Sequence, residues 1–139
     1  MRFAIALSLL LAATIVASAP ARATEWTSAG ETASGNPVYV DIAGMRSAGQ
    51  MHTAWIRVVY KAPIQAGNSR VASMQALAHF DCASGENAGI RVLMYEDEAG
   101  ENLAISREER EVRFGMEPDG SVGRIAHALI CKDAPKSAQ

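Results

Sequence analysis

Two cysteines, Cys82 and Cys131, stand 49 positions apart in a chain whose first residues read as an export leader. Met1 and Arg2 give the positive start, and the segment from Phe3 to Ala19 is uncharged and mostly apolar. Ala21, Arg22 and Ala23 match the small-x-small cleavage pattern. The expectation is a signal peptide over residues 1–23, cut between Ala23 and Thr24. A membrane-spanning anchor is the weaker alternative, because Pro20 follows the apolar run without a stop-transfer flank. In an oxidising compartment a lone cysteine pair normally bridges. A redox or metal role fits less well, since there is no Cys-x-x-Cys and the three histidines match no ligand spacing. Closing a loop of about 50 residues stabilises a fold by about 4 kcal/mol in the chain-entropy account. That is on the scale of a small domain's whole net stability. The segment holding Cys82 must therefore pack against the one holding Cys131.

The alternation of apolar and polar residues says what those segments are. In "NPVYVDI", Val38, Val40 and Ile42 share one face; in "HTAWIRVVYK", Ala54, Ile56, Val58 and Tyr60 do, opposite Trp55, Arg57 and Val59. From Met74 to Cys82, Met74, Ala76, Ala78, Phe80 and Cys82 share a face, so Cys82 points the same way as the core residues. "GMRSAGQM" reads as a turn, and "APIQAGNSR" reads as a surface loop because of Pro63, Gly67 and Asn68. "IRVLMY" and "LAIS" read as a hairpin joined through "EDEAGEN", and "EVRF" as a possible last strand.

A single segment asks for a helix. After the break at Pro118 and Gly120, Ser121 is a side-chain cap, and Val122, Ile125, Ala126 and Leu129 recur at helical spacing. The expected fold is α+β: a small antiparallel sheet of about five to six strands, with a C-terminal helix tied to it by a Cys82–Cys131 disulfide. One domain over residues 24–133 and a flexible tail over 134–139 complete the organisation.

Charge excludes several partners. The formal charge of −2 becomes −4 once Arg2 and Arg22 leave with the leader. An acidic chain lacks the basic face that nucleic acid or anionic lipid requires, and no apolar stretch after Ala23 is long enough to span a bilayer. No cysteine lies near the expected cut, so no lipid anchor is expected. The expected location is periplasmic or secreted.

The order "EWTSAG", "VYVD", "AWIRVVY", "HFDC" and "PDGSVGRIAHALIC" resembles the surface-adhesin protein E family of exported bacterial proteins, over roughly Trp26 to Cys131. The resemblance implies a small antiparallel sheet with a disulfide-held C-terminal helix. It also implies a binding protein that is not an enzyme, and it makes a homodimer through a sheet edge plausible. It implies no cofactor.

Several residues are candidate sites. His52, His79 and His127 sit in separate segments, so a shared metal site would need long-range convergence. Asp41 and Asp81 occupy strand-like patterns that disfavour aspartate, and each fits a strand-end carboxylate accepting backbone hydrogen bonds. The enzymatic alternative is a small periplasmic hydrolase using Asp41 or Asp81 with His79, if their strands are neighbours. "YEDEAGEN" lacks calcium-loop spacing, and no nucleophile elbow or phosphate loop is present. "SREERE" reads as a protected edge or a partner rim. Trp55 beside Arg57 is the composition favoured at protein-binding hot spots, which makes the pair the candidate binding residues. The leading expectation is a noncatalytic exported binding protein that engages another protein, an envelope or host matrix component, through a sheet face or edge. A structural envelope homodimer is a further alternative.

Overall fold

The computed structural model describes residues 23–132. Nearly all of the expected leader and the whole expected tail therefore lie outside the described residues. Ala23 and Thr24 are exposed and irregular.

Among the described residues seven antiparallel strands form one sheet. They are β1 (Thr27–Glu31), β2 (Pro37–Val40), β3 (Arg46–Ala48), β4 (Met51–Ala66), β5 (Ser69–Asp81), β6 (Asn87–Tyr95) and β7 (Leu103–Glu108). Their order is β1-β2-β4-β5-β6-β7, and β3 pairs with the start of β4. The alternation in the sequence predicts about five to six strands. The additional one, β3, is three residues long and lies inside the segment read as a turn, too short for alternation to reveal.

The larger correction concerns "APIQAGNSR", which is not a loop. β4 runs through it to Ala66, and a two-residue turn at Gly67 and Asn68 leads straight into β5. Gly67 has φ +57° at the first central position, as a type II′ turn requires. Pro63 is tolerated because the ladder between β4 and β5 is irregular from Val59 to Ile64, where its missing N–H breaks no paired bond. Because β2 and β6 stop short of this stretch, the end of the β4–β5 hairpin extends beyond the sheet as a two-stranded arm. "EVRF" forms no strand; the chain there is irregular until Gly115 bridges to Asn87.

The helix falls where capping and periodicity place it. α1 spans Val122–Ile130, and Ser121 accepts a hydrogen bond from the Arg124 amide through its hydroxyl. Gly123 weakens helical propensity, but Glu117 Oε2 accepts hydrogen bonds from Gly123 N at 3.2 Å and from Ser121 Oγ at 2.9 Å. A Cβ at position 123 would fall on that carboxylate, so glycine is what allows this second cap.

α1 lies across β1, β2 and β4. Val38, Val40, Ala54, Ile56, Val58, Ala76, Ala78 and Phe80 pack with Ala126 and Ile130 to form the core. Phe80 is fully buried, with the His127 ring 6.3 Å away. The disulfide closes this layer: Cys82 and Cys131 are bonded, with their Cα atoms 5.5 Å apart, within the range a bridge needs. It staples the end of α1 to the turn that follows β5. A nine-residue helix is marginal alone in water, and the link keeps it docked.

Candidate functional site

The face of the sheet turned away from α1 is the candidate surface. Side chains alternate along each strand, so the residues opposite the core set are fixed by register. One row across the sheet reads Tyr39, Arg57, Gln75, Leu93 and Ser106; the next reads Trp55, Leu77, Arg91 and Glu108. Tyr39, Trp55, Leu77 and Leu93 are each only half-buried. No helix among the described residues covers this face.

Its two ends are partly closed. At one end the β6–β7 connection folds back onto the sheet, where Ser73 Oγ donates to the Asp97 carbonyl at 2.7 Å. Asp97 shapes that connection, its carboxylate accepting from Asn102 N at 2.7 Å and from Glu101 N at 3.1 Å. Those hydrogen bonds, the one from Asn102 foremost, hold the Asp97 carboxyl below the usual range. Gly100 has φ +77°, and a Cβ there would come within 3.1 Å of Gln75 Nε2. At the opposite end Phe114 stacks on His79, with ring centroids 6.2 Å apart. Thr53 Oγ1 and His79 Nδ1 share a hydrogen bond of 2.7 Å beneath it.

Arg57 occupies the first row between these ends. Its guanidinium donates to the Glu98 carbonyl of the folded-back connection and lies 5.9 Å from the centre of the Trp26 ring, within cation–π range. Its Nε–H is buried and has no partner among the described residues. A buried donor on a charged group normally finds an acceptor, so this one singles the site out. The sequence pattern points to Trp55 and Arg57 but not to Trp26, thirty-one positions upstream of Arg57. Ser28 pairs with Tyr39, so Trp26, two residues before it, falls on the same side of the sheet; "EWTSAG" is too short and too polar for alternation to mark that side.

The remaining candidates do not converge. Asp41 accepts from Gly44 N at 2.8 Å, and Asp81 from Ala83 N at 2.9 Å, as strand-end carboxylates do. The hydrogen bond from Ala83 leads the causes that lower the Asp81 pKa. The strands carrying Asp41 and His79 are not neighbours: β4 separates β2 from β5. Their backbones therefore lie about 9–10 Å apart at two strand spacings, which corrects the adjacency that the Asp41 version of a hydrolase site assumed; Asp81 shares β5 with His79, but its carboxylate is engaged by the Ala83 amide. His52 bonds Ser47 Oγ, and His127 Nε2 lies 3.3 Å from the Asp81 carbonyl. Among the described residues no group of three His, Cys, Asp or Glu side chains is placed to hold a metal. "SREERE" begins as the exposed edge strand β7, where Glu108 pairs with Arg91. Exposed pairs of this kind stabilise little.

A seven-stranded antiparallel sheet with one C-terminal helix stapled by a disulfide defines the class of protein. The sequence profile of surface-adhesin protein E matches residues 26–132, and the chain belongs to that family. Solved structures agree on the fold. One crystal form of Haemophilus influenzae protein E is 13% identical, with a TM-score of 0.53 over 88% of this chain and 98% of that one. The structure from non-typeable Haemophilus influenzae is 12% identical, with a TM-score of 0.55 over 85% of this chain and 82% of that one. No curated protein sequence matches the chain significantly. No helix among the described residues is long and apolar enough to cross a membrane.

Proposed function

We propose that this chain is a noncatalytic exported binding protein that engages another protein through the open face of its sheet, with Trp55 and Arg57 at the contact. The observation that carries the proposal is Arg57. It is oriented by Trp26 and the Glu98 carbonyl, and its Nε donor is buried without an acceptor amid half-buried aromatic and aliphatic side chains. A partner that brings a carboxylate to the face beside the guanidinium would complement its charge, while Trp55, Leu77 and Leu93 supply apolar contact. Aromatic and arginine anchors in a desolvated setting are the groups that dominate binding energy at protein interfaces. Membership of a family named for a surface adhesin supports the same reading. It also supports export, with residues 1–23 as the leader, residues 24–133 as the folded domain, and the periplasm or the exterior as the destination.

The test is capture from envelope extracts and from host matrix proteins by immobilised mature protein, beside Trp55→Ala and Arg57→Ala. The expected outcome is a partner retained by wild type and lost, by about tenfold or more in affinity, with either variant. Capture of nothing, or equal capture by both variants, would refute the assignment.

A further inference from the structure

α1 lies mainly over β1, β2 and β4 and reaches β5 at Phe80. Beyond it the chain returns along β6, with Gly115 and Asn87 exchanging backbone hydrogen bonds of 3.0 Å in each direction, before turning into the helix. Between this return, the start of α1 and the sheet lies a cavity of about 350 Å³. Its wall is apolar, made chiefly by Met74, Ala76, Ala78, Phe80, Val92 and Val122. That volume equals about a dozen waters at liquid density, yet such a wall offers water almost no partners.

Two polar groups interrupt the apolar wall. Asn87 is 8% exposed. Its backbone is engaged with Gly115, and the residue lines the cavity with its polar side chain. Glu117 also lines the cavity, its carboxylate fixed by the hydrogen bonds from Ser121 and Gly123.

We infer that this cavity is a binding site for a small amphipathic molecule: an aliphatic or aromatic body with a neutral or cationic head that donates hydrogen bonds. The body fills the space over Ala76, Ala78 and Val92. The head bonds the Asn87 amide and lies beside the Glu117 carboxylate, which disfavours an anionic head. The volume falls in the range of ordinary small-molecule pockets. The site is on the opposite face of the sheet from Arg57 and stands independently of the protein-binding proposal.

N-Phenyl-1-naphthylamine, an apolar amine whose fluorescence rises when it leaves water, is the probe. Wild-type mature protein should give a saturable rise. Octanol and octylamine should compete for it, and octanoate should be weaker by at least about tenfold because it meets Glu117. Ala78→Leu should fill the cavity and reduce probe affinity by at least about tenfold, the scale on which pockets reject added methylenes. Gly89→Leu is a second filling variant, since a Cβ there meets nothing within 4 Å and Gly89 borders the cavity. Trp55→Ala should bind the probe as wild type does. The inference is overturned by the lack of a saturable rise, by wild-type affinity in both filling variants, by octanoate competing as well as octylamine, or by loss of the probe with Trp55→Ala.

Discussion

Replacing Cys131 with serine tests the link between the cysteine pair and the architecture. The bridge closes a loop with a sequence separation of 49 residues. The chain-entropy relation for a loop of about 50 residues gives an entropy near −14 cal/mol/K, or about 4 kcal/mol at room temperature. With a urea slope of about 2 kcal/mol/M, the unfolding midpoint should fall by about 2 M. The loss should be uneven. α1 buries Gly123, Ala126 and Ile130 against the sheet, and its end is held by the bridge, whereas the β4–β5 ladder has long-range pairing of its own. Amides near the end of α1 should therefore exchange with solvent well before those of β4 and β5. Urea unfolding of both proteins, followed by hydrogen exchange on the variant, measures both effects. Equal midpoints, or α1 amides still exchanging together with those of the central strands, would refute the reasoning. Two titratable thiols in native protein would do so as well.

Phe80→Ala removes the largest fully buried side chain beneath the helix and should destabilise the protein by about 3–5 kcal/mol, read as a shift in urea midpoint. Gly120→Ala should destabilise by about 1–2 kcal/mol; Gly120 has φ +79°, and a Cβ there would sit 2.9 Å from the Ala33 Cβ. Acid should loosen the β6–β7 connection. The Asp97 pKa is lowered on folding, so its stabilising contribution is complete above the unfolded-chain value of about 3.9 and is lost as pH falls through the lower folded value. The protection of the Glu101 and Asn102 amides against exchange, relative to the intrinsic rate at each pH, should fall across that window in wild type and lose this pH dependence in Asp97→Asn.

Local pattern carried the elements whose physics is local. Ser121, Pro118 and the Val122 stripe mark α1 within one turn of chain, and the Met74–Phe80 alternation marks the inward face of β5. The β4–β5 arm was hidden because Pro63 and Gly67 act differently: the glycine makes the turn, while the proline sits where the ladder is already irregular. "EVRF" has strand composition, but its role is to place Phe114 against His79. The candidate surface was legible at Trp55 and Arg57 because they are close in sequence. Trp26 and Glu98 join them through β1 and through the β6–β7 connection, pairings that no short window contains. The cavity was illegible for the same reason, since its wall draws on β4, β5, β6 and α1.

Site-specific photocrosslinking tests the binding face most directly. A photoreactive phenylalanine would replace Leu77, in the open row beside Trp55, or Ala128, on the exposed side of α1. Each protein would be irradiated with the extracts used for capture, and the adducts compared. The account predicts a discrete protein adduct from position 77 and none from position 128. Adducts from position 128 with none from position 77 would contradict it.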